Sequence, residues 1–529
     1  MVFPAKRVLN WGASRRARAG RRVLLAAGWL AASAFSAPSA TRRQLPEAAA
    51  PPTPAAVPTE QLTPNSRRAY DEVLKLRLAP ARALLQAELV RTPTAPAPLL
   101  VADCADFIEL MVSQDEGRYA AVAAAQQAHL TALERAPAGA LRDYAHAEIM
   151  LHLGLGQVLF KHLVAGGWNL RRGYQQMEAV TARYPSFYPA RKTLGVCQFA
   201  VGSLPEGYHW LLRLLGLRGD VAAGLRNLAL AAARPHDFQT ESQIFQALIR
   251  EAYYKRPDEA LRLAERLRAE QPDNLLFSYL LLSINKRQHR TDAALAAYRA
   301  CPSGPGYLPV AYLRHMAADL LLYQGDYAGS ERENLAFLRE YQGRHYRKDA
   351  AFKLYLAAWL GGVPAAAVAR YREQINQPGP TDVEEDTYAQ HYYHEARALH
   401  PVLTRARLQA DGGYYRAALA TLATFRAGPA ASWRDRIEEP YRRARAYEGL
   451  GRTDSAWAAY QRTVDEAAGR APFYFAPQAA LQMGYLARQA GHPDLARQCF
   501  ERALRYPWHE YKNSTDAKAA LALRELPAR

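Results

Sequence analysis

The chain has 529 residues, 50% of them hydrophobic and 22% charged, which excludes global disorder. It also exceeds the roughly 250–300 residues one core supports, so several domains or an extended repeat array are required. The formal charge of +18 points to a nucleic-acid partner only until it is located, because residues 1–43 hold one Lys, eight Arg and no acid, half of the excess. The remainder spreads thinly as a solvated basic surface, and no nucleic-acid partner is expected.

At the N-terminus, Arg15, Arg16, Arg18, Arg21 and Arg22 precede an apolar run over 23–35 and the small residues Ser36, Ala37, Ser39 and Ala40. That order is a secretory signal over 1–40, so the chain is expected to be exported, to the periplasm. No Cys near the cleavage region supports a lipid anchor. Further on, no run reaches the roughly 18 apolar residues that span a bilayer; the best is 275–284, which leaves only peripheral membrane association. Residues 41–65, with the run PPTP, read as an extended Pro/Ala-rich linker. Beyond it Ala, Leu and Arg recur in nearly every segment, and the predicted class is all-α.

Residues 66–235 read as an N-terminal helical domain, with helices over 67–89, 98–114, 117–134 and 143–164. Breaks are expected at Gly166-Gly167, at Tyr184-Pro185 and over 202–205. Gly154-Leu-Gly156 lacks the rest of a dinucleotide fingerprint and reads as close helix packing. Ser203 is a predicted N-cap and Gly216 a predicted stop for the apolar stretch 208–215, which carries Trp210, Leu211, Leu212, Leu214 and Leu215. The stretch is read as a plug between domain and array, with docking to an envelope complex as the alternative. Asp220 should cap the next helix and Pro235 should end it.

From 236 the chain repeats. The unit 241–274 ends with Ala260, Ala264, Leu267 and Pro272, and one period later come Ala294, Tyr298, Cys301 and Pro302. Ala444, Tyr447, Gly451, Ala456 and Tyr460 mark another unit, which Gly484, Gly491, Ala496, Phe500 and Ala503 repeat. Weaker units surround Gly325, Gly361 and Gly413. This is the tetratricopeptide pattern, in which small residues let two helices pack closely and an aromatic fills the next groove. Stacked pairs then share a superhelical core that no single pair could form. The predicted array covers 236–376 and 391–529, with 377–390, including Glu384, Glu385 and Asp386, as a loop.

The runs from Tyr144 to Glu148, from Gly166 to Tyr174, from Gly195 through Gly202-Ser203-Leu204-Pro205 to Gly224-Leu225, and from Gly484 to Ser514 resemble the inclusion-body-clearance family and its bacterial relatives. The resemblance covers about 66–525. It implies a helical repeat scaffold with an N-terminal helical domain and no catalytic residue to carry over, while the export signal departs from members at the mitochondrial outer membrane and lipid droplets.

No P-loop, GxSxG elbow or HExxH motif occurs, so no enzyme, no catalytic residue and no cofactor is expected. Cys104, Cys197, Cys301 and Cys499 form no CxxC pair and read as buried small hydrophobes. His391, His394, Glu395 and His400 are the densest metal-capable cluster, but Glu395 leaves the helix face of the first two and a Pro follows His400, so the cluster reads as a polar surface and no metal is predicted. Repeat arrays bind on the concave face of their first helices. Repeat phase puts Tyr253, Tyr279, Lys286, Arg287, Tyr312, His315, Tyr323, Tyr441, Arg442, Arg445, Tyr485 and Arg488 there. The expected function is a non-enzymatic protein-interaction scaffold of the cell envelope that holds a protein or peptide segment. The rival readings are a structural subunit docked through 208–215 and a metal protein using the His391 region.

Overall fold

The computed structural model describes residues 61–204, 212, 216–254, 256–395, 398–428, 431–469 and 472–527. The predicted signal, nearly all of the linker and, apart from Leu212, the stretch 208–215 lie outside them.

Among the described residues the chain forms 24 α-helices and no strand. The first eight are α1 (Pro64–Leu74), α2 (Leu78–Arg91), α3 (Pro96–Ser113), α4 (Glu116–Glu134), α5 (Ala140–Leu159), α6 (Leu163–Arg183), α7 (Tyr188–Gly202) and α8 (Val221–Ala233). Then come α9 (Gln239–Tyr254), α10 (Pro257–Glu270), α11 (Leu275–Arg287), α12 (Thr291–Arg299), α13 (Tyr312–Gln324), α14 (Tyr327–Glu340), α15 (Arg347–Leu360) and α16 (Ala365–Gln374). The last are α17 (Glu384–His394), α18 (Pro401–Asp411), α19 (Tyr415–Ala423), α20 (Trp433–Gly449), α21 (Thr453–Ala467), α22 (Phe475–Gln489), α23 (Pro493–Arg505) and α24 (Lys512–Arg524). Consecutive helices pack as hairpins and each hairpin packs on the next, which makes the protein an all-α helical repeat array.

The repeat pattern works as the sequence predicts. Gly325 and Gly451 turn two hairpins in the left-handed region, at φ 89° and 71°, where a Cβ is costly. In the last hairpin the small residue of the first helix faces the aromatic of the second, so that a Cβ on Gly484 would lie 2.4 Å from Phe500 Cε1. Asp220 caps α8 by accepting from the Ala223 N–H at 2.9 Å, and α8 ends before Pro235.

Four local readings are corrected. Ser203, expected as an N-cap, instead ends α7 as its C-cap, at φ −88° and ψ −1°, and its Oγ has no hydrogen-bond partner among the described residues. The helix expected over 67–89 is two helices, α1 and α2, with Leu76 between them at φ 59°. Pro80, in the first turn of α2, marks the break in sequence, and the Leu76 carbonyl is anchored there by Leu308 N–H at 2.7 Å, a contact 232 positions away that only the tertiary fold supplies. Gly166-Gly167 lies inside α6 rather than at a break. There Gly166 lets α6 approach α5 so closely that its Cβ would be 2.9 Å from the Gly154 carbonyl oxygen, which also accounts for Gly154. Finally, α17 begins at Glu384, inside the predicted loop, because three acids in its first turn favour the positive end of a helix.

One apolar core runs from Leu62 to Met316, across residue 235. Lys192, buried within it, sits 3.1 Å from Glu148 and 2.6 Å from Glu241, tying α5, α7 and α9 together. The N-terminal helices also fold back on the repeats: Lys75 pairs with Asp273 at 2.7 Å, His345 Nδ1 lies 2.7 Å from Gln114 Oε1, and Lys161 Nζ lies 3.6 Å from Asp382. A second closure brings the start of α12 to the α18–α19 turn, where Thr291 Oγ1 donates to the Gly412 carbonyl at 2.8 Å. The C-terminal repeats have a separate core, from Ile437 to Leu526.

Candidate partner-binding face

The first helices α11, α13 and α15 stack side by side and carry a buried ladder of charge. Asp319 Oδ2 lies 2.6 Å from Lys286 Nζ, and Asp319 Oδ1 contacts Lys353 Nζ. Lys353 Nζ reaches Asp349 at 2.5 Å. His315 Nε2 lies 3.0 Å from Asp349 and its Nδ1 3.2 Å from Asn334 Oδ1. Burial pushes the Asp319 carboxyl upward, but Lys286 and Lys353 hold it well below the usual carboxylate range. Burial likewise pushes the Lys353 ammonium down, and Asp319 and Asp349 hold it above its ordinary value.

Four of the predicted contact residues gather at or beside this ladder. Lys286 and His315 belong to it. Tyr312 stands at its edge, 5.7 Å between ring centroids from His315, and the buried hydroxyl of Tyr323 is raised first by desolvation and then by Asp319. Arg287 makes a two-pronged bond to Glu251 of α9, at 3.0 and 2.6 Å. Tyr279 is buried in the core shared with the N-terminal helices. Tyr253 lies on α9, and its side chain is outside the described residues. In this part of the chain, therefore, the predicted hot-spot residues tie repeats to one another.

The C-terminal repeats arrange the same residue types differently. Arg442 donates to Glu438 Oε1 at 2.9 and 2.8 Å and to the Tyr474 hydroxyl at 3.0 Å. Its guanidinium is 5.5 Å from the Tyr441 ring and 5.4 Å from Phe475, inside the range of a cation–π contact. Arg434 supplies Glu438 from the other side at 2.6 Å. Arg445 pairs with Glu448 at 2.9 Å. Arg488 pairs with Glu525 at 3.1 Å and covers the Tyr485 ring at 5.3 Å.

Next to this cluster, Arg407 of α18 donates to the Tyr388 hydroxyl at 3.0 Å, while its Nε has no hydrogen-bond partner. Tyr474 meets Tyr511 edge-on at 5.5 Å, and Tyr511 is 44% exposed. Both Tyr388 and Arg407 are half-buried. Arg407, Tyr388, Tyr474 and Tyr511 thus form a half-buried strip of aromatic and guanidinium groups, in which Tyr511 is the most exposed and the unpartnered Arg407 Nε is itself closed off from solvent. Sequence reasoning missed it: Tyr388 fell in the supposed loop, and Tyr511 follows the last recognised repeat. Asp319 and Lys353 were missed as well, although charges recurring one repeat apart from Lys286 were a readable signal.

His391 and His394 are exposed on α17, and His394 Nε2 lies 2.8 Å from Gln390 Nε2. Among the described residues no group of three or more His, Cys, Asp or Glu side chains is placed to hold a metal ion. No described helix is long and apolar enough to cross a membrane.

No protein-family model matches the chain, and no curated protein does. Among solved structures it is similar to a monomeric IFIT1 mutant with Gppp-AAAA, at 13% identity and TM-score 0.27, covering 83% of this chain and 80% of that one. A related IFIT1 mutant with m7Gppp-AAAA gives the same values. The APC/C hetero-tetramer Cut9-Hcn1 matches at 11% identity and TM-score 0.21, covering 86% of this chain and 95% of the other. The all-α repeat assignment rests on this chain's own helix pairs.

Proposed function

We propose that the chain is a non-enzymatic interaction scaffold of the cell envelope whose C-terminal repeats hold a protein or peptide segment. The observation that carries this reading is the strip of Arg407, Tyr388, Tyr474 and Tyr511, in which guanidinium and aromatic groups adjoin and Tyr511 is 44% exposed. Tyr and Arg combine contact area with directed hydrogen bonds and dominate binding hot spots. Export is supported by the charged, apolar and small-residue order of 1–40, and kinship with the inclusion-body-clearance family by the motifs quoted above. Crosslinking with mass spectrometry in native cells tests the proposal. One stoichiometric envelope protein, recovered with the native chain and lost from an Arg407→Ala/Tyr511→Ala variant, supports it. Unchanged recovery from the variant, or RNA recovered in place of protein, overturns it.

A further inference from the structure

A second site lies away from the strip, where the N-terminus of α15 meets the loop that leaves α16. A cavity of about 270 Å³ opens there, lined by Arg344, Arg347, Lys348, Gln374 and Gln377, with Leu338, Ala351, Pro378 and Pro380 as its apolar walls. Three cations and two amides border it, and no lining residue is acidic.

The nearby acids are engaged elsewhere. Asp386 spends both oxygens on backbone N–H groups, of Tyr346 at 2.7 Å and Asp349 at 2.9 Å. Asp382 faces Lys161 and His345. Glu116 meets Arg344 at 3.1 Å, but both side chains are at least half exposed, and water weakens such a pair.

Lys348 is the decisive residue. It is 5% exposed, and its ammonium donates to the carbonyls of Ile375 at 3.0 Å and Gln377 at 2.5 Å. Those bonds pin the loop in place, and of the three donors on an ammonium they leave one. Desolvation lowers its pKa, and only Asp386 acts in the opposite direction. Arg347 uses one nitrogen on the Tyr341 carbonyl, at 3.1 Å, which leaves the rest of its fork for an oxyanion.

We infer that this cavity binds the side-chain oxyanion of an acidic peptide, a carboxylate or a phosphate held by the Arg347 fork and Lys348. Its size argues for a side chain, because sites that enclose a whole small molecule run to about 300–1,000 Å³. The apolar walls suit the stem that carries the charge. The inference rests on the scaffold reading for the nature of the ligand, but its site is separate from the Arg407 strip.

Calorimetric titration of the full chain with a capped hexaglutamate peptide tests it, with capped hexalysine and inorganic phosphate as further probes. Saturable hexaglutamate binding is expected, weakened at least tenfold in Arg344→Ala/Arg347→Ala and less than twofold in the charge-matched Arg262→Ala/Arg266→Ala, both with unchanged melting curves. Arg347→Lys keeps the charge, loses the fork and should fall between native chain and double variant. Equal binding by the double variant, or no binding by the native chain, overturns the site. Full displacement by phosphate at the peptide's own concentration overturns the peptide ligand in favour of free phosphate. If the Arg344/Arg347 variant still recovers the envelope partner in cells, the scaffold reading stands whatever happens to the cavity.

Discussion

The middle repeats, from α9 to α15, and the C-terminal repeats, from α18 to α24, present the same residue types on their first helices and pair most of them within the chain, but differ in what packs over that face. In the middle, Asp319 is buried between the partly buried Lys286 and Lys353, and the N-terminal helices close over Tyr279 through Leu76, Lys75 and the shared core. In the C-terminal part Tyr511 stays 44% exposed beside Tyr474, and Arg407 is only half-buried. Repeat phase therefore says which side of a helix a residue faces. Whether that side is free depends on what the rest of the chain packs against it.

The largest effect expected from this contrast is at Asp319. Asp319→Ala takes the buried carboxylate from Lys286 and leaves Lys353 with Asp349 alone, and should cost about 3–5 kcal/mol in a urea titration, whereas Arg488→Ala, which breaks a partly exposed pair, should cost under about 1 kcal/mol. Equal losses would erase the distinction between sealed and open repeats. Next, Gly166→Leu forces α5 and α6 apart and should lose about 1–3 kcal/mol; a neutral result would mean that the close approach at Gly154 is not needed.

Arg407→Ala should weaken partner binding about tenfold, or roughly 1.4 kcal/mol, with an unchanged melting curve, while Arg287→Ala should do the reverse. Binding that survives Arg407→Ala but fails in Arg287→Ala would move the interface to the middle repeats.

A further effect concerns pH. Burial pushes the Asp386 carboxyl up to about 7, against the backbone N–H bonds from Asp349 and Tyr346 that pull it down. A carboxyl raised in the folded state favours folding in its protonated form. Its contribution is full below the ordinary carboxylate range, near 4, and is lost as pH rises through about 7. Asp386→Asn should flatten the stability profile across that window, and melting curves at pH 4 to 8 check it. A slope unchanged by the substitution would mean that Asp386 titrates normally.

Much of the fold was legible because its determinants are local. Gly325, Gly451, the Gly484–Phe500 contact and the Asp220 cap are set by residues within one hairpin. The break at Leu76 had a local sign in Pro80, but the contact that anchors it, with Leu308, lies in another repeat and left no mark in the sequence. Gly166 misled because glycine serves both a chain turn and a close helix crossing, and only the facing Gly154 decides between them. The acids of 384–386 read as a loop because charge alone does not distinguish a solvated turn from the first turn of a helix.

Of the candidate faces, the sequence supplied Lys286, His315, Tyr441 and Arg442 by position, but not their roles. Ionic partners such as Asp319 and Glu438 are chosen by which helices stack, and a guanidinium bound to a buried carboxylate is no longer free to bind a partner.

By itself, then, the sequence determined an all-α repeat array and the side on which its first helices point, because helix periodicity and small-to-aromatic spacing are properties of short stretches. Only the tertiary structure decided which part of that side is covered, which charges are spent inside the chain, and where a cation-lined cavity opens. Burial and ion pairing depend on residues as far as 228 positions apart in sequence, and neither periodicity nor spacing records that proximity.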